Sequence, residues 1–198
     1  MKATLYFIVE VEDDYNNYVS LGDGKKLKIN DSIESVENIN RVGKLISAPK
    51  GTIVQEGDFL LFHHNICRKS WGFKSKLRKS VFNIRGNIYY IPVTEIFMYK
   101  KPEDKDWTAI NPFVFVKPIE ATKKVLPNGL EVTEDTYKHK KDLVGIMWYI
   151  NKDLENQGVK RGDKISFQEY SQHEFIINGE IYYKMKTEDV LAVYEGTE

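Results

Sequence analysis

The chain has 198 residues, of which 41% are hydrophobic and 29% charged, and this composition excludes a disordered or fibrous protein. Its 29 basic and 29 acidic residues balance, so no global charge draws it to nucleic acid or to a membrane surface. The single cysteine, Cys67, excludes an internal disulfide, and no apolar run is long enough to span a membrane. We therefore expect a cytoplasmic protein without a membrane partner.

Short apolar or alternating runs, separated by glycine, asparagine, aspartate and proline, recur along the chain and are typical of strands. In chain order these runs lie at 5–11, 59–62, 88–93, 113–116, 165–167 and 190–194. Glycine-containing turns at 85–87 and 178–180 separate neighbouring runs. The pattern predicts one short helix, at 152–157, and an all-β fold overall.

Four blocks recur in the same order in the two halves of the chain. The matched pairs are 42–45 with 144–147, 53–62 with 158–167, 82–90 with 175–183, and 95–99 with 189–194. Because four ordered matches are not expected by chance, we predict two tandem copies of one domain. The first domain is predicted at 1–100 and the second at 111–198. The segment between them, 101–110, is charged and broken by Pro102, which is typical of a linker.

Several segments of the second copy stand in the order and spacing of a known family. They are Asn-Pro-Phe-Val-Phe-Val-Lys-Pro at 111–118, Gly-Leu-Glu-Val at 129–132, Val-Gly-Ile-Met at 144–147, the strand entry with Gly162-Asp163 at 159–167, and Glu-Asp-Val-Leu-Ala-Val-Tyr-Glu at 188–195. With these segments the second copy resembles the GroES family of ten-kilodalton co-chaperonins. The first copy resembles the family through 41–43, 56–58 and its final strand. The resemblance implies two tandem GroES-like irregular small β-barrels, similar to the double-domain co-chaperonin of chloroplasts or to divergent phage relatives.

The resemblance also implies a non-catalytic function. The protein would form a homo-oligomer and dock mobile loops onto a chaperonin ring to assist protein folding. The implied partner-binding positions are Gly129, Leu130, Glu131 and Val132 in the second copy and, by analogy, Leu27 and Ile29 in the first. In an extended loop, Leu130 and Val132 would lie on the same side and enter one groove together. Two departures stand out, because Glu131 is charged where the family has an apolar residue, and Lys26 and Lys28 flank the first-copy candidate.

These departures leave a second hypothesis open. The protein could be a structural assembly protein, for instance a phage virion component, that reuses the barrel and has lost the chaperonin contact. It would then be found in the host cytoplasm or in the virion.

The first copy carries an insertion at 63–80 that the second copy lacks. Its basic and aromatic residues are Arg68, Lys69, Trp71, Phe73, Lys74, Lys76, Arg78 and Lys79. Such a segment could contact a phosphate backbone or an acidic partner surface. The interpretation we favour is a solvated hairpin whose aromatic rings pack on the barrel. We do not expect nucleic acid as the partner of this balanced chain.

No pattern in the sequence indicates an enzyme, a metal site or a cofactor. His63, His64 and Cys67 lie close together, but no second cluster of ligands accompanies them. Gly22-Asp23-Gly24 lacks the third glycine of a dinucleotide site, and no phosphate-binding loop or catalytic constellation is present. We therefore expect no catalytic residue, no metal, no cofactor and no small-molecule substrate.

Overall fold

A computed structural model describes the chain over residues 2–15, 18–20, 25–28, 36–119, 124–125, 131–132 and 143–194. The chain divides into two compact units, Met1–Trp107 and Thr108–Glu198. Strands dominate both units, so the predicted all-β fold is confirmed. No helix within the described ranges is long and apolar enough to cross a membrane. The linker expected at 101–110 stays a prediction.

The strands of the first unit are short, and those at 7–10, 59–62 and 88–91 lie in the apolar runs predicted from the sequence. In chain order they are β1 (Phe7–Glu10), β2 (Tyr18–Ser20), β3 (Lys26–Lys28), β4 (Val42–Ser47), β5 (Phe59–Phe62), β6 (Ser70–Trp71), β7 (Leu77–Arg78), β8 (Asn83–Arg85), β9 (Ile88–Ile91) and β10 (Ile96–Lys100). Six of them pair antiparallel in the order β10-β5-β4-β1-β9-β8. The remaining strands form two separate hairpins, β2 with β3 and β6 with β7.

The second unit has the same kind of sheet. Its elements are β11 (Thr108–Ala109), β12 (Phe113–Pro118), β13 (Lys124–Val125), β14 (Glu131–Val132), β15 (Val144–Tyr149), α1 (Lys152–Asn156), β16 (Lys164–Phe167), β17 (His173–Ile177), β18 (Glu180–Lys186) and β19 (Val190–Val193). The sheet order is β19-β16-β15-β12-β18-β17, all antiparallel. The helix α1 lies where the sequence predicts one. It begins after Asn151, whose side-chain oxygen accepts a hydrogen bond from the Leu154 N–H at 3.2 Å.

The two sheets have one topology. In each unit the first sheet strand lies between the second and the fifth, and the last strand pairs with the third. The irregularities also coincide, because the register shifts between Ile8 and Val9 in β1 and between Phe115 and Val116 in β12. Two sheets that share strand order and bulge position are what an internal duplication predicts.

The same turn leads into β5 and into β16. Gly57 and Gly162 have φ angles of +97° and +98°, which a residue with a side chain rarely adopts. The carboxylates of Asp58 and Asp163 each accept a hydrogen bond from the backbone N–H three residues earlier, at 2.8 and 2.7 Å. The glycine-aspartate pair that recurs in the sequence is therefore a turn in which glycine supplies the backbone angle and aspartate closes the loop.

Apolar side chains from the sheet strands form the core of each unit. Val114 and Val116 alternate with Phe115 along β12, and all three are fully buried. In the second unit the side chains packed with the two valines are Met147, Leu154, Val159, Ile165, Phe167, Tyr183 and Met185. In the first unit the fully buried side chains include Val9, Leu45, Leu60, Phe62, Tyr89, Ile91, Ile96 and Met98. Since each buried side chain of this size contributes roughly 1.5–3 kcal/mol, the sheets carry most of the stability.

Candidate partner-docking surfaces

A small hairpin follows the first sheet strand in each unit, and three of the predicted docking residues, Leu27, Glu131 and Val132, lie on these hairpins. In the first unit Leu27 of β3 is opposite Val19 of β2, and Leu27 is 52% exposed. In the second unit Glu131 and Val132 of β14 are opposite Val125 and Lys124 of β13. The other predicted docking residues, Gly129, Leu130 and Ile29, lie outside the described residues. Both candidate loops therefore occupy the same place in the fold, and their role in docking stays a prediction.

The insertion of the first unit is anchored by one buried carboxylate. Asp14, just beyond β1, is 6% exposed. Its Oδ2 lies 3.0 Å from Lys69 Nζ and 3.1 Å from Lys79 Nζ. The Tyr89 hydroxyl donates a hydrogen bond of 2.5 Å to Asp14 Oδ1. Two of the predicted contact cations, Lys69 and Lys79, are thus used to hold the two ends of the insertion on the sheet.

Further hydrogen bonds fix the same two ends. The backbone N–H of Lys69 donates to the Tyr15 hydroxyl at 3.0 Å. Lys79 Nζ donates to the carbonyl of Gly86 at 2.7 Å. The Ser80 hydroxyl donates to the carbonyl of Ile66 at 2.5 Å. The base of the insertion is therefore ordered, which restricts any partner contact to the residues between these anchors.

The charges of this anchor explain the pKa values around it. Burial alone would raise the pKa of Asp14, but the hydrogen bonds from Tyr89, Lys69 and Lys79 outweigh burial and hold the pKa below its usual value. Burial, and then the hydrogen bond to Asp14, raises the pKa of Tyr89. Burial also raises the pKa of Cys67 to about 12, so its thiol stays protonated and unreactive at neutral pH.

The free part of the insertion is the hairpin β6–β7, residues 70–78, which we call the basic hairpin. Its aromatic rings do not pack on the sheet, because Trp71 is 59% and Phe73 80% exposed. Trp71 and Leu77 are directly opposite in the hairpin, so both lie on one face. On the other face Arg78 covers Gly72 closely, since a Cβ on Gly72 would lie 2.5 Å from Arg78 Nε. The expectation that the rings pack on the barrel is therefore wrong.

The two histidines at the start of the insertion contribute to packing. The rings of His63 and His64 stack with centroids 4.2 Å apart. Burial, and then the neighbouring His63 ring, lowers the pKa of His64 to about 4, so that it is neutral at neutral pH. Within the part of the chain that the structure describes, no three histidine, cysteine or acidic side chains are grouped to hold a metal ion.

One exposed surface has no counterpart among the sequence predictions. β19 is the end strand of the second unit's sheet over the described residues, and its Leu191 and Val193 are exposed, as is the following Tyr194. In the first unit the residue that matches Leu191 is Phe97, which is buried. An end strand with exposed apolar side chains and free backbone groups is a surface on which another strand can pair.

Comparison with known proteins identifies the second unit. The family described as the chaperonin 10 kDa subunit, Cpn10, matches residues 108–194, which includes every sheet strand of that unit. The co-chaperonin GroES of Aquifex aeolicus (strain VF5) is 32% identical over 88 residues, which cover 41% of this chain and 71% of that protein. The co-chaperonin GroES of Kosmotoga olearia is 34% identical over 82 residues, which cover 41% of this chain and 89% of that protein. The chain therefore belongs to the GroES-type family of ten-kilodalton co-chaperonins.

Proposed function

We propose that the protein acts as a co-chaperonin: it assembles into an oligomer and docks loops onto a chaperonin ring, with no catalytic step of its own. The observation that carries this proposal is the family match over 108–194, because it spans the whole sheet of the second unit and the connection with the candidate loop. Both relatives named above are co-chaperonins.

The first unit is proposed to be a divergent second copy of the same domain. Its support is the common strand order, the common bulge and the common glycine-aspartate turn of the two sheets. The tandem form then gives each subunit two candidate loops. Of the two, the second-copy loop is the better candidate, since Lys26 and Lys28 flank Leu27 in the first.

In this proposal each loop binds as an extended segment that places alternate side chains in a groove of the chaperonin. Leu130 and Val132 alternate with Glu131, so that the two apolar side chains enter one groove while the carboxylate faces solvent. Each loop binds weakly, because the chain must be ordered on binding. Several loops on one oligomer bind together, which raises the overall affinity without any new contact.

Oligomer formation is proposed to use the exposed end strand β19. Its outward side chains Leu191 and Val193 are costly to leave in water, and a strand from another subunit would cover them and pair with the free backbone groups. A sheet that continues from subunit to subunit gives each subunit two unlike contacts, and repeated contacts of this kind close into a ring.

The decisive experiment is native mass spectrometry of the full chain mixed with a chaperonin ring and ATP. We expect a complex with the unchanged chain and none with the double variant Leu130→Ser, Val132→Ser. A matched control, Val81→Ser with Val93→Ser, removes two exposed valines elsewhere and should leave the complex intact. Absence of a complex with the unchanged chain would overturn the proposal, and co-purification with virus particles would then favour a structural role in the virion.

A further inference from the structure

The two units carry opposite net charges. Residues 1–107 contain 17 basic and 14 acidic residues, whereas residues 108–198 contain 12 basic and 15 acidic residues. The positive charge is concentrated, since residues 59–94 hold seven basic residues and no acidic one. A neutral chain with one basic and one acidic unit is suited to contacts between copies, because unlike units attract and like units repel.

The basic hairpin presents the positive side of such a contact. Trp71 and Leu77 form an exposed apolar pair across its strands. Lys74 and Lys76 are exposed in the same hairpin, with Lys76 on the face opposite to Leu77, and neither has an ion-pair partner among the described residues. Asp14 neutralises Lys69 and Lys79 at the base, so the free charge lies at the tip. A hairpin that carries an exposed tryptophan–leucine pair and unpaired lysines is suited to bind an apolar patch with acidic neighbours.

The second unit presents a surface with the opposite charge near the turn of the β17–β18 hairpin, on the face that also carries the buried Tyr183. Ile176 and Ile181 are directly opposite on these strands, and they are 53% and 49% exposed. Glu174 lies two residues before Ile176 on the same face, and Glu169 is exposed in the preceding turn. Neither glutamate has an ion-pair partner over the described ranges. We call Glu169, Glu174, Ile176 and Ile181 the acidic face.

We propose that the basic hairpin of one copy docks on the acidic face of a second copy. The apolar pair Trp71–Leu77 packs on the pair Ile176–Ile181, and the tip lysines approach the glutamates of the acidic face. The contact joins unlike units of two chains, so it is a head-to-tail contact that generates rings or open chains. It rests on the oligomer in the proposed function, and it involves surfaces other than β19.

A second copy fits the hairpin better than a nucleic acid or a lipid surface does. Single strands bind by stacking bases on free aromatic faces, but Lys74 Nζ lies 5.8 Å from the centre of the Phe73 ring, where it competes with a base for that ring. Leu77, which is opposite Trp71, offers nothing to a base. For a lipid surface, Lys74 at the tip would have to enter the bilayer together with Phe73. The acidic face, by contrast, matches the hairpin in both charge and apolar pairing.

Charge reversal in the full chain tests the contact. The hairpin variant is Lys74→Glu with Lys76→Glu, and the face variant is Glu169→Lys with Glu174→Lys. We expect each variant alone to raise the concentration needed for assembly roughly tenfold or more at low salt, measured by sedimentation velocity. An equimolar mixture of the two variants, and a chain that carries all four changes, should recover assembly. The control Lys50→Glu with Lys101→Glu makes the same charge change at exposed lysines elsewhere and should assemble normally.

The outcomes separate this contact from the proposed function. A monomeric unchanged chain, or a hairpin variant that assembles normally, would overturn the contact. The contact would also be overturned if neither the equimolar mixture nor the chain with all four changes recovered assembly. Binding of single-stranded DNA or of phosphatidylserine vesicles that is lost in the hairpin variant, with assembly unchanged, would assign the hairpin to those ligands instead. Native mass spectrometry with a chaperonin ring on the same samples reports docking independently, so normal assembly without a chaperonin complex would refute docking alone.

Discussion

The sheets of the two units have the same strand order, but the segments that connect their strands differ. Strand order, bulge position and the turn at Gly57 and Gly162 coincide, although few residues outside the turns are identical. The connections differ: the second unit has the helix α1 after its second sheet strand, and the first has the basic hairpin after its third. The pattern of burial and turns is therefore enough to preserve the sheet, whereas the connections are free to acquire separate roles.

The first unit also shows what an added segment requires. Its insertion brings cations next to the sheet, and Asp14 neutralises two of them while Tyr89 donates to the same carboxylate. The matched strand position in the second unit holds Tyr183, and the carboxylate opposite it, Glu174, is exposed rather than buried. The buried carboxylate of Asp14 thus supplies the counter-charge for the two lysines that hold the hairpin in place.

The largest expected effect comes from the glycine that both units place against their first strand. A Cβ on Gly145 would lie 2.3 Å from Val116 Cγ1 and 3.0 Å from the carbonyl oxygen of Lys117. A Cβ on Gly43 would lie 3.1 Å from Val9 Cβ. We expect Gly145→Ala to destabilise the second unit by about 3 kcal/mol and Gly43→Ala to destabilise the first by about 1 kcal/mol.

Urea unfolding checks this difference, because each unit has its own tryptophan. Trp148 reports the second unit in a chain with Trp71→Phe and Trp107→Phe, and Trp107 reports the first in a chain with Trp71→Phe and Trp148→Phe. Equal losses for Gly145→Ala and Gly43→Ala would mean that the two sheets accommodate the extra methyl group alike, and the structural difference between them would have no energetic consequence.

The next largest effect is expected at the anchor of the insertion. Asp14→Asn leaves Lys69 and Lys79 without their counter-charge and should destabilise the first unit by about 2 kcal/mol. Tyr89→Phe removes one hydrogen bond and should cost about 1 kcal/mol. Trypsin should also cleave the Asp14→Asn chain faster at Lys74 and Lys76, because the hairpin base is released. Unchanged cleavage with unchanged stability would refute the anchoring role of Asp14.

The sequence predicts the sheet better than it predicts the surface, for a physical reason. Alternating apolar residues and glycine turns specify strands locally, so the all-β fold and the short helix were predictable. Long-range pairing is not local, and the repeat in the sequence matches Tyr89 with Tyr182. In the structure Tyr89 is opposite Val9 and Tyr183 is opposite Val116, so the equivalent residue is Tyr183, one position further on. Register is set by which face is buried, not by matching letters.

The candidate surfaces were predictable in composition only. The insertion was identifiable from its basic and aromatic residues. The sequence does not show which of its lysines are paired with a buried carboxylate, as Lys69 and Lys79 are, and which are exposed, as Lys74 and Lys76 are. What distinguishes them is Asp14, which is far from them along the chain and adjacent only after folding. The only indication in the sequence was the excess of basic residues in the insertion, because lysines that pack on a sheet need a nearby carboxylate.

The smallest expected effect is a loss of stability of the first unit at low pH, caused by His64. The hydrogen bond from His63 N–H to the Glu95 carbonyl repeats as Gln168 to Asp189, so His64 of the first unit matches Glu169 of the second. The pKa of His64 is about 4 in the folded chain against 6.5 for a free histidine, so the unfolded chain binds the proton more tightly.

The contribution of His64 to the stability of the first unit is therefore complete above about pH 6.5 and is lost progressively as the pH falls towards 4. Because the ring is partly exposed, we expect a loss on the order of 1 kcal/mol. Urea unfolding at pH 7 and pH 4.5 should show this loss in the unchanged chain, and His64→Gln should remove it. His173→Gln, at an exposed histidine of the second unit, serves as the control. If His64→Gln kept the full loss, the acid sensitivity of the first unit would have to come from its carboxylates instead.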